Sequence, residues 1–255
     1  MKVKFKPWLP FHVVASALLL LLTPGVLTNE VYGKPPTGPA SEETQPFKPD
    51  LDKGAQCVIE ITQLHPTQAA VGYFEVKQKA DQLSAKKPSK FQEYLAEHLV
   101  PIVIGPGGAA YLTDHHHLAR ALWDAKLSKT VNAKVIENWY DAGPEFWNRM
   151  QEHVDDTTKE PVPLVYLYDE NGNPLSGSET LPKTIADLKD DPFRSLIYIL
   201  IDAGVLEKDP APFSEFHEAQ YYRQKFKEAG FTLENSKEGF DKAVVEARTL
   251  PLPPK

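Results

Sequence analysis

The chain has 255 residues, with 28 Lys and Arg against 35 Asp and Glu, a formal charge of −7, 23 prolines and one cysteine. That balance disfavours a broad basic face gripping a polyanion such as nucleic acid, although a local positive pocket or a bound divalent metal can still hold one phosphate. A single thiol allows no intramolecular disulfide, so stability has to come from packing.

Lys2, Lys4 and Lys6 precede an apolar run from Val13 to Leu22, which Thr23, Pro24 and Gly25 break. This is the order of an export signal. Its apolar run of about ten residues falls well short of the roughly 20 that cross a hydrocarbon core, so no stable membrane anchor is expected. The protein is expected to be periplasmic or secreted, with cleavage after Thr28 or after Gly33. Removal of residues 1–33 takes three lysines and Glu30 and moves the charge from −7 to −9. Residues 34–55 are rich in proline and polar side chains and read as a flexible tether. Residues 56–230 read as one folded domain with a helical extension, and 231–255 as a C-terminal helix and tail.

The span from Cys57 to Leu64 is β-branched and alternating, as in a strand, with Cys57 as a buried apolar residue. His65 and Pro66 stop it, and Thr67 is expected to cap a helix carrying Val71, Phe74, Val76 and Ala80. A second helix, Ser89–Leu99, sets Phe91, Leu95 and Leu99 on one face. Ile102–Ile104, a turn over residues 105–108 and Ala109–Leu112 make a hairpin. The glycine turn is not a phosphate loop of the Walker kind, which needs Gly-Lys-Ser/Thr opening directly into a helix.

Asp114 is then expected to cap a helix with Leu118, Ala119 and Leu122 facing the core. VNAKVIENW reads as a strand, PEFWNRM as a helix opened by Pro144, and LVYLYDENGNPL as a strand running into an Asn171-Gly172 turn. In DDPFRSLIYILIDAG, Asp191 is the cap, Pro192 the first helical residue and Gly204 the terminator. Two amphipathic helices follow, the first capped by Ser214. The fold class is α+β: a small mixed sheet with helices and a helical C-terminal extension.

His115, His116 and His117 fall in the first turn of the third helix. The unpaired N–H groups there and the positive end of the helix dipole suit a phosphate, to which imidazoles add donors. Consecutive helical residues diverge by about 100°, so at most two of the three can share one metal ion, and no His-x3-His pair or HExxH motif supports a metal site. Glu75 is the candidate general base if it reaches this loop. Gln68 and Tyr73 are expected to face the same cleft as ligand-binding residues together with Asp114 and His115, and Arg120 either steadies an anion or pairs with Asp124 four residues on. Ser214 and His217 do not form a triad, because the two lie three apart on one helix and no Gly-x-Ser-x-Gly elbow is present.

Four ordered stretches, LHPTQAAVGYFEV, VPIVIGPGGAAYLTDHHHLARAL, DDPFRSL and PFSEF, resemble the ParB/sulfiredoxin superfamily and, within it, the ParB-like nuclease branch. The resemblance spans about residues 59–223 and implies a phosphate-cradling helix start and nuclease-like hydrolysis. It sets Asp114 on the family's capping aspartate and His116 and His117 on its central loop residues. His115 stands where many members have glycine, and Leu118 where they have the clamp arginine, which Arg120 would have to replace. Sulfiredoxin chemistry requires a loop cysteine that is absent here, and kinase or nucleotide-switch functions need nucleotides scarce outside the cytoplasm. The expected activity is phosphodiester hydrolysis, with a non-enzymatic phosphate or small-ligand binding protein, or an envelope interaction protein with a vestigial pocket, as the alternatives.

Overall fold

A computed structural model describes residues 45–254; the expected export signal and the beginning of the tether lie outside the described residues. Among the described residues the strands are β1 (Gln45–Pro46), β2 (Gln56–Glu60), β3 (Leu64–Pro66), β4 (Ala70–Val71), β5 (Val100–Ile104), β6 (Ala110–Leu112), β7 (Thr130–Asn138) and β8 (Lys189–Asp190). Six of them form one mixed sheet in the order β1-β2-β7-β5-β6-β3, and β4 pairs in parallel with β8. The pairs β2–β7 and β5–β6 are antiparallel, whereas β1–β2, β7–β5 and β6–β3 are parallel.

The helices are α1 (Tyr73–Ser84), α2 (Pro88–Glu97), α3 (His116–Asp124), α4 (Phe146–Gln151), α5 (Pro192–Asp202), α6 (Ser214–Glu228) and α7 (Lys237–Ala247). The chain is thus of mixed α+β type with a helical C-terminal part.

The apolar pattern dictates this layering. β5 is covered on both faces, which is why it reads as a nearly continuous apolar run. Ile102 and Ile104 pack into the main core with Val76, Ala80 and Leu83 of α1 and Leu118, Ala119 and Leu122 of α3. Val103 points to the opposite face, as strand geometry requires, and packs with Phe146, Met150, Leu164 and Val165. A separate core joins Leu196, Ile197 and Leu200 of α5 to Ala219, Tyr222 and Phe226 of α6 and to Phe240, Ala243 and Ala247 of α7.

Helix α5 forms as its sequence dictates. The Asp191 side chain accepts the Phe193 N–H, Pro192 opens the first turn, and Gly204 follows the helix at φ 64°. The antiparallel β5–β6 pair and the long β7 also match their sequence signals.

Several local expectations are corrected. The stretch read as a tether is held to the domain from Gln45 onward by individual contacts: β1 pairs with β2, Leu51 is buried, Asn138 Nδ2 donates to the Pro49 and Leu51 carbonyls, and Lys53 bonds Glu137 and Asp156. The single strand expected over residues 57–64 is broken by a short 3-10 turn at Ile61–Gln63, closed by a reciprocal Glu60–Gln63 capping box. LVYLYDENGNPL makes only isolated bridges, Gln68 with Tyr166 and Tyr168 with Pro174.

Three side chains chosen as caps do other work. Thr67 is buried in the bend after β3 with its hydroxyl donating to the Leu112 carbonyl, and α1 begins only after Gly72. Asp114 accepts the adjacent His115 N–H at 2.6 Å, while His115 itself occupies the N-cap position of α3. Phe213 holds the N-cap position of α6, and the Ser214 hydroxyl donates to the Asp209 carbonyl. Thr67 and Ser214 donate to carbonyls outside their helices, and Asp114 is drawn to the N–H next to it, one residue short of a capping bond.

The Tyr222 hydroxyl lies fully buried without a hydrogen-bond partner. Removing a polar group that has lost water and gained nothing is neutral or favourable. Tyr222→Phe is therefore expected to unfold in urea within about 1 kcal/mol of the wild type, on the stabilising side.

Candidate functional site

The first turn of α3 starts from a strained residue. His115 sits at φ 64° and ψ 25°, the left-handed region that glycine enters freely and a bulky side chain does not. This is the position at which the family resemblance expects glycine, and the backbone explains that preference. No side chain caps α3. The N–H groups of His116, His117 and Leu118 belong to its first turn, ahead of the intrahelical bond from the Ala119 N–H to the His115 carbonyl.

His116 turns inward and is almost completely buried, its Nε2 accepting the Thr67 N–H at 3.2 Å. Nε2 of His117 accepts the Gly72 N–H at 3.0 Å. Burial pulls both imidazoles down to a pKa of about 3, so both are neutral at physiological pH.

Glu75 in the first turn of α1 brings Oε2 to 3.2 Å from His117 Nε2, with Lys79 Nζ 3.8 Å from its other oxygen. The Gly72 N–H already engages the imidazole lone pair, so this approach is not an ion pair with an imidazolium. It is contact with a carboxyl group whose pKa burial raises, against the lowering influence of Lys79, Arg194 and Lys208. Glu75 and His117 retain 14% and 12% side-chain exposure, so the pair is enclosed yet not sealed from solvent.

The start of α5 completes the arrangement. The hydroxyl of Ser195 accepts the Phe74 N–H, and Asp190 Oδ1 accepts the Tyr73 N–H, which satisfies the early N–H groups of α1. Gly72 lies so close to α5 that a Cβ there would fall 2.6 Å from the Ser195 nitrogen.

Arg194 is buried, with its guanidinium 3.5 Å from the centre of the Phe216 ring and Nη2 donating to Glu215 at 3.0 Å. Its positive charge acts on Glu75, His116 and His117 alike. The early turns of α1, α3 and α5 thus meet around a carboxyl, two neutral imidazoles and a buried arginine. A carboxyl with a raised pKa placed in this way can accept and return a proton, with the arginine charge beside it to hold an anion.

The other residues singled out in the sequence have structural partners. Arg120 chelates Asp124 through Nε at 2.8 Å to both carboxylate oxygens, donates from Nη1 to the carbonyls of Ala186 and Leu188, and lies over the Tyr73 ring. The Tyr73 hydroxyl donates to the Leu188 carbonyl at 2.5 Å, and Gln68 Nε2 donates to Ala70. Asp114 is exposed at the rim. Leu118 is buried in the main core, which explains why position 118 holds no clamp arginine here.

Arg194, Glu215 and Glu218 were missed by the sequence reading, although the first two lie in the quoted DDPFRSL and PFSEF stretches. Recurrence of those stretches was a signal of family; their residue types alone gave no reason to place them beside the histidines.

Among the described residues no group of three or more His, Cys, Asp and Glu is arranged to hold a metal ion. Two open surface hollows lie elsewhere. One of about 850 Å³ is lined by residues including Lys48, Lys53, Glu137 and Tyr140, and one of about 630 Å³ by residues including Lys86, Lys90 and Tyr94. Neither is lined by the histidines, and their size does not outweigh the convergence of buried titratable groups.

Known proteins supply an independent comparison. Residues 57–224 match the family model described as Putative ParB-like nuclease. The crystal structure of protein Atu1540 from Agrobacterium tumefaciens is similar to this chain with a TM-score of 0.63 and 34% sequence identity, over 76% of this chain and 90% of that one. No curated protein matches. The family model covers the sheet from β2 onward, the histidine turn and most of α6 together, and on that match the chain belongs to the ParB-like nuclease family.

Proposed function

We propose that the protein is a phosphodiester hydrolase acting outside the cytoplasm, with the Glu75–His117 pair as its proton-handling centre. The observation that carries this reading is the 3.2 Å approach of a buried carboxyl to a buried neutral imidazole in the first turns of two helices. Membership of a nuclease-like family supports it.

In this reading the uncapped first turn of α3 seats the phosphate, where backbone N–H groups and the helix dipole stabilise its oxygens. Glu75, as carboxylate, takes a proton from a water molecule whose oxygen forms the new bond to phosphorus. The bond from phosphorus to the leaving oxygen breaks, and the proton passes from Glu75 to that oxygen, regenerating the carboxylate. Burial helps, because a carboxyl with a raised pKa is a stronger base than an exposed one. His117 walls the site 3.2 Å from the carboxyl with its Nε2 held by the Gly72 N–H, Lys79 balances the carboxylate charge, and His116 fixes the turn through Thr67. A divalent metal, if one is bound, would add charge stabilisation at the phosphate.

The test is turnover by the purified protein on single-stranded and duplex DNA, RNA and a small phosphodiester, with divalent metals or with chelator. Hydrolysis that disappears in a His116→Ala, His117→Ala double variant is expected. Turnover on no substrate above the level of that variant would replace this reading with that of a binding protein. Sequencing the N terminus of protein recovered from the periplasm or medium tests the location, and an intact terminus confined to the cytoplasm would contradict it.

A further inference from the structure

The buried cluster beside the histidines holds an unusual imbalance. Arg194 is only 5% exposed, yet its Nε and Nη1 groups have no hydrogen-bond partner, and one bond to Glu215 is all its guanidinium donates. Glu218, one helical turn after Glu215 on α6, buries Oε2 without a partner as well. A guanidinium has five N–H donors, and leaving several of them dry is costly unless something that comes and goes accepts from them.

The donor and the acceptor are near enough for the arginine charge to act on the Glu218 carboxyl, which burial and the neighbouring Glu215 and Asp209 push up to about 7. They are nevertheless not bonded to each other. Arg194 lies over the Phe216 ring, which is 3.9 Å from that of Tyr166, and its charge reaches Glu75 and the histidines at the uncapped start of α3. A ligand that satisfies both ends has to present oxygen acceptors to Arg194 and one O–H donor to Glu218.

We propose that Arg194 and Glu218 bind a phosphate group that carries a hydroxyl, a hydrogenphosphate or phosphomonoester, whose charged oxygens accept from the free N–H groups of Arg194 and whose P–OH donates to Glu218. The inference rests on the hydrolase reading for the place of the site and deepens it. A phosphomonoester is what phosphodiester hydrolysis leaves behind, so this subsite holds the product. Arg194 thereby supplies the positive charge that Leu118 cannot, from α5 in place of α3. Above its pKa of about 7 the Glu218 carboxyl is an acceptor only and selects against sulfate, which has no hydroxyl to donate, so the two anions are compared at about pH 8.

Calorimetric titration of the full folded chain with inorganic phosphate, and separately with sulfate, tests the proposal. Saturable phosphate binding is expected, with sulfate at least about tenfold weaker and with Arg194→Lys weakening phosphate by about tenfold or more. Glu218→Gln should lose most of the preference for phosphate over sulfate. If Arg194→Lys does not fold, Glu215→Gln decides: removing the one acceptor that competes for the guanidinium should tighten phosphate binding. No saturable binding to the wild type, or equal binding by Arg194→Lys, would overturn the proposal, as would a Glu215→Gln variant that binds phosphate no tighter than the wild type. The outcome is separable from hydrolysis. Turnover without phosphate binding removes this subsite alone, and phosphate binding without turnover removes the hydrolase reading and leaves the subsite.

Discussion

Gly72→Ala is expected to destabilise the protein by about 3 kcal/mol, the upper end of what forcing one extra carbon into a packed interior costs. The added Cβ would lie 2.6 Å from both the nitrogen and the hydroxyl oxygen of Ser195 and 2.9 Å from its Cα. Two of these three atoms belong to backbone in the first turn of α5, so no rotamer change relieves the contact. Gly72 has ordinary extended angles, φ −81° and ψ 110°, so space and not conformational freedom excludes a side chain. Relief requires α1 to part from α5, which would also stretch the Gly72 bond to His117 and the Phe74 bond to Ser195. Urea unfolding should register the loss, and a midpoint equal to the wild type would show that the two helices are not in the close contact described.

The second large effect is on acid stability. Burial depresses His116 and His117 to about 3, below the value near 6.5 that each takes in the unfolded chain. A depressed pKa means that the stabilising contribution is present above about pH 6.5 and is lost as pH falls toward the folded value. Each histidine should therefore remove about 1.4 kcal/mol per pH unit, roughly 3 kcal/mol between pH 6.5 and 4.5.

Glu75, Asp191 and Glu218 act in the opposite sense. Their folded values are raised, so their contribution is present below the unfolded carboxyl range and lost as pH rises through the folded value. This flattens the total curve, and the histidine share has to be read as a difference between variants. His116→Gln keeps an acceptor for the Thr67 N–H but cannot titrate. The stability of the wild type minus that of His116→Gln should fall by about 3 kcal/mol from pH 7 to pH 4.5. Parallel curves for the two proteins would show that His116 is not buried in its neutral form.

What was legible in the sequence was legible for local reasons. The α5 helix announced itself through Asp191, Pro192 and Gly204, each acting on its own backbone. The hairpin of β5 and β6 and the histidine turn are likewise contiguous in sequence, and the family resemblance tied them to the early segment holding Glu75. The caps were misjudged because Thr67, Asp114 and Ser214 have capping chemistry but found other acceptors and donors in the fold.

Arg120 was a reasonable anion partner by spacing from the histidines. Whether its guanidinium faced them or the carbonyls of residues 186 and 188 depended on a segment some 65 residues away. Arg194 was illegible for the converse reason. Within its own helix it is one basic residue in an apolar run, and it becomes unusual only when α6 brings Glu215 and Phe216 over it and leaves two of its nitrogens unbonded. The packed stretch from Gln45 to Ala55 escaped for want of periodicity, since its order comes from individual contacts such as Leu51, Lys53 and the carbonyls held by Asn138.

The most direct measurement of the central claim compares steady-state hydrolysis of a small phosphodiester by the wild type and by Glu75→Gln, which preserves the size of the side chain and removes its basicity. Loss of a general base should lower kcat by about 100-fold or more while KM moves by no more than about threefold, because the phosphate seat is left intact. Equal kcat in the two proteins would contradict the account and remove Glu75, and with it the Glu75–His117 pair, from the chemistry.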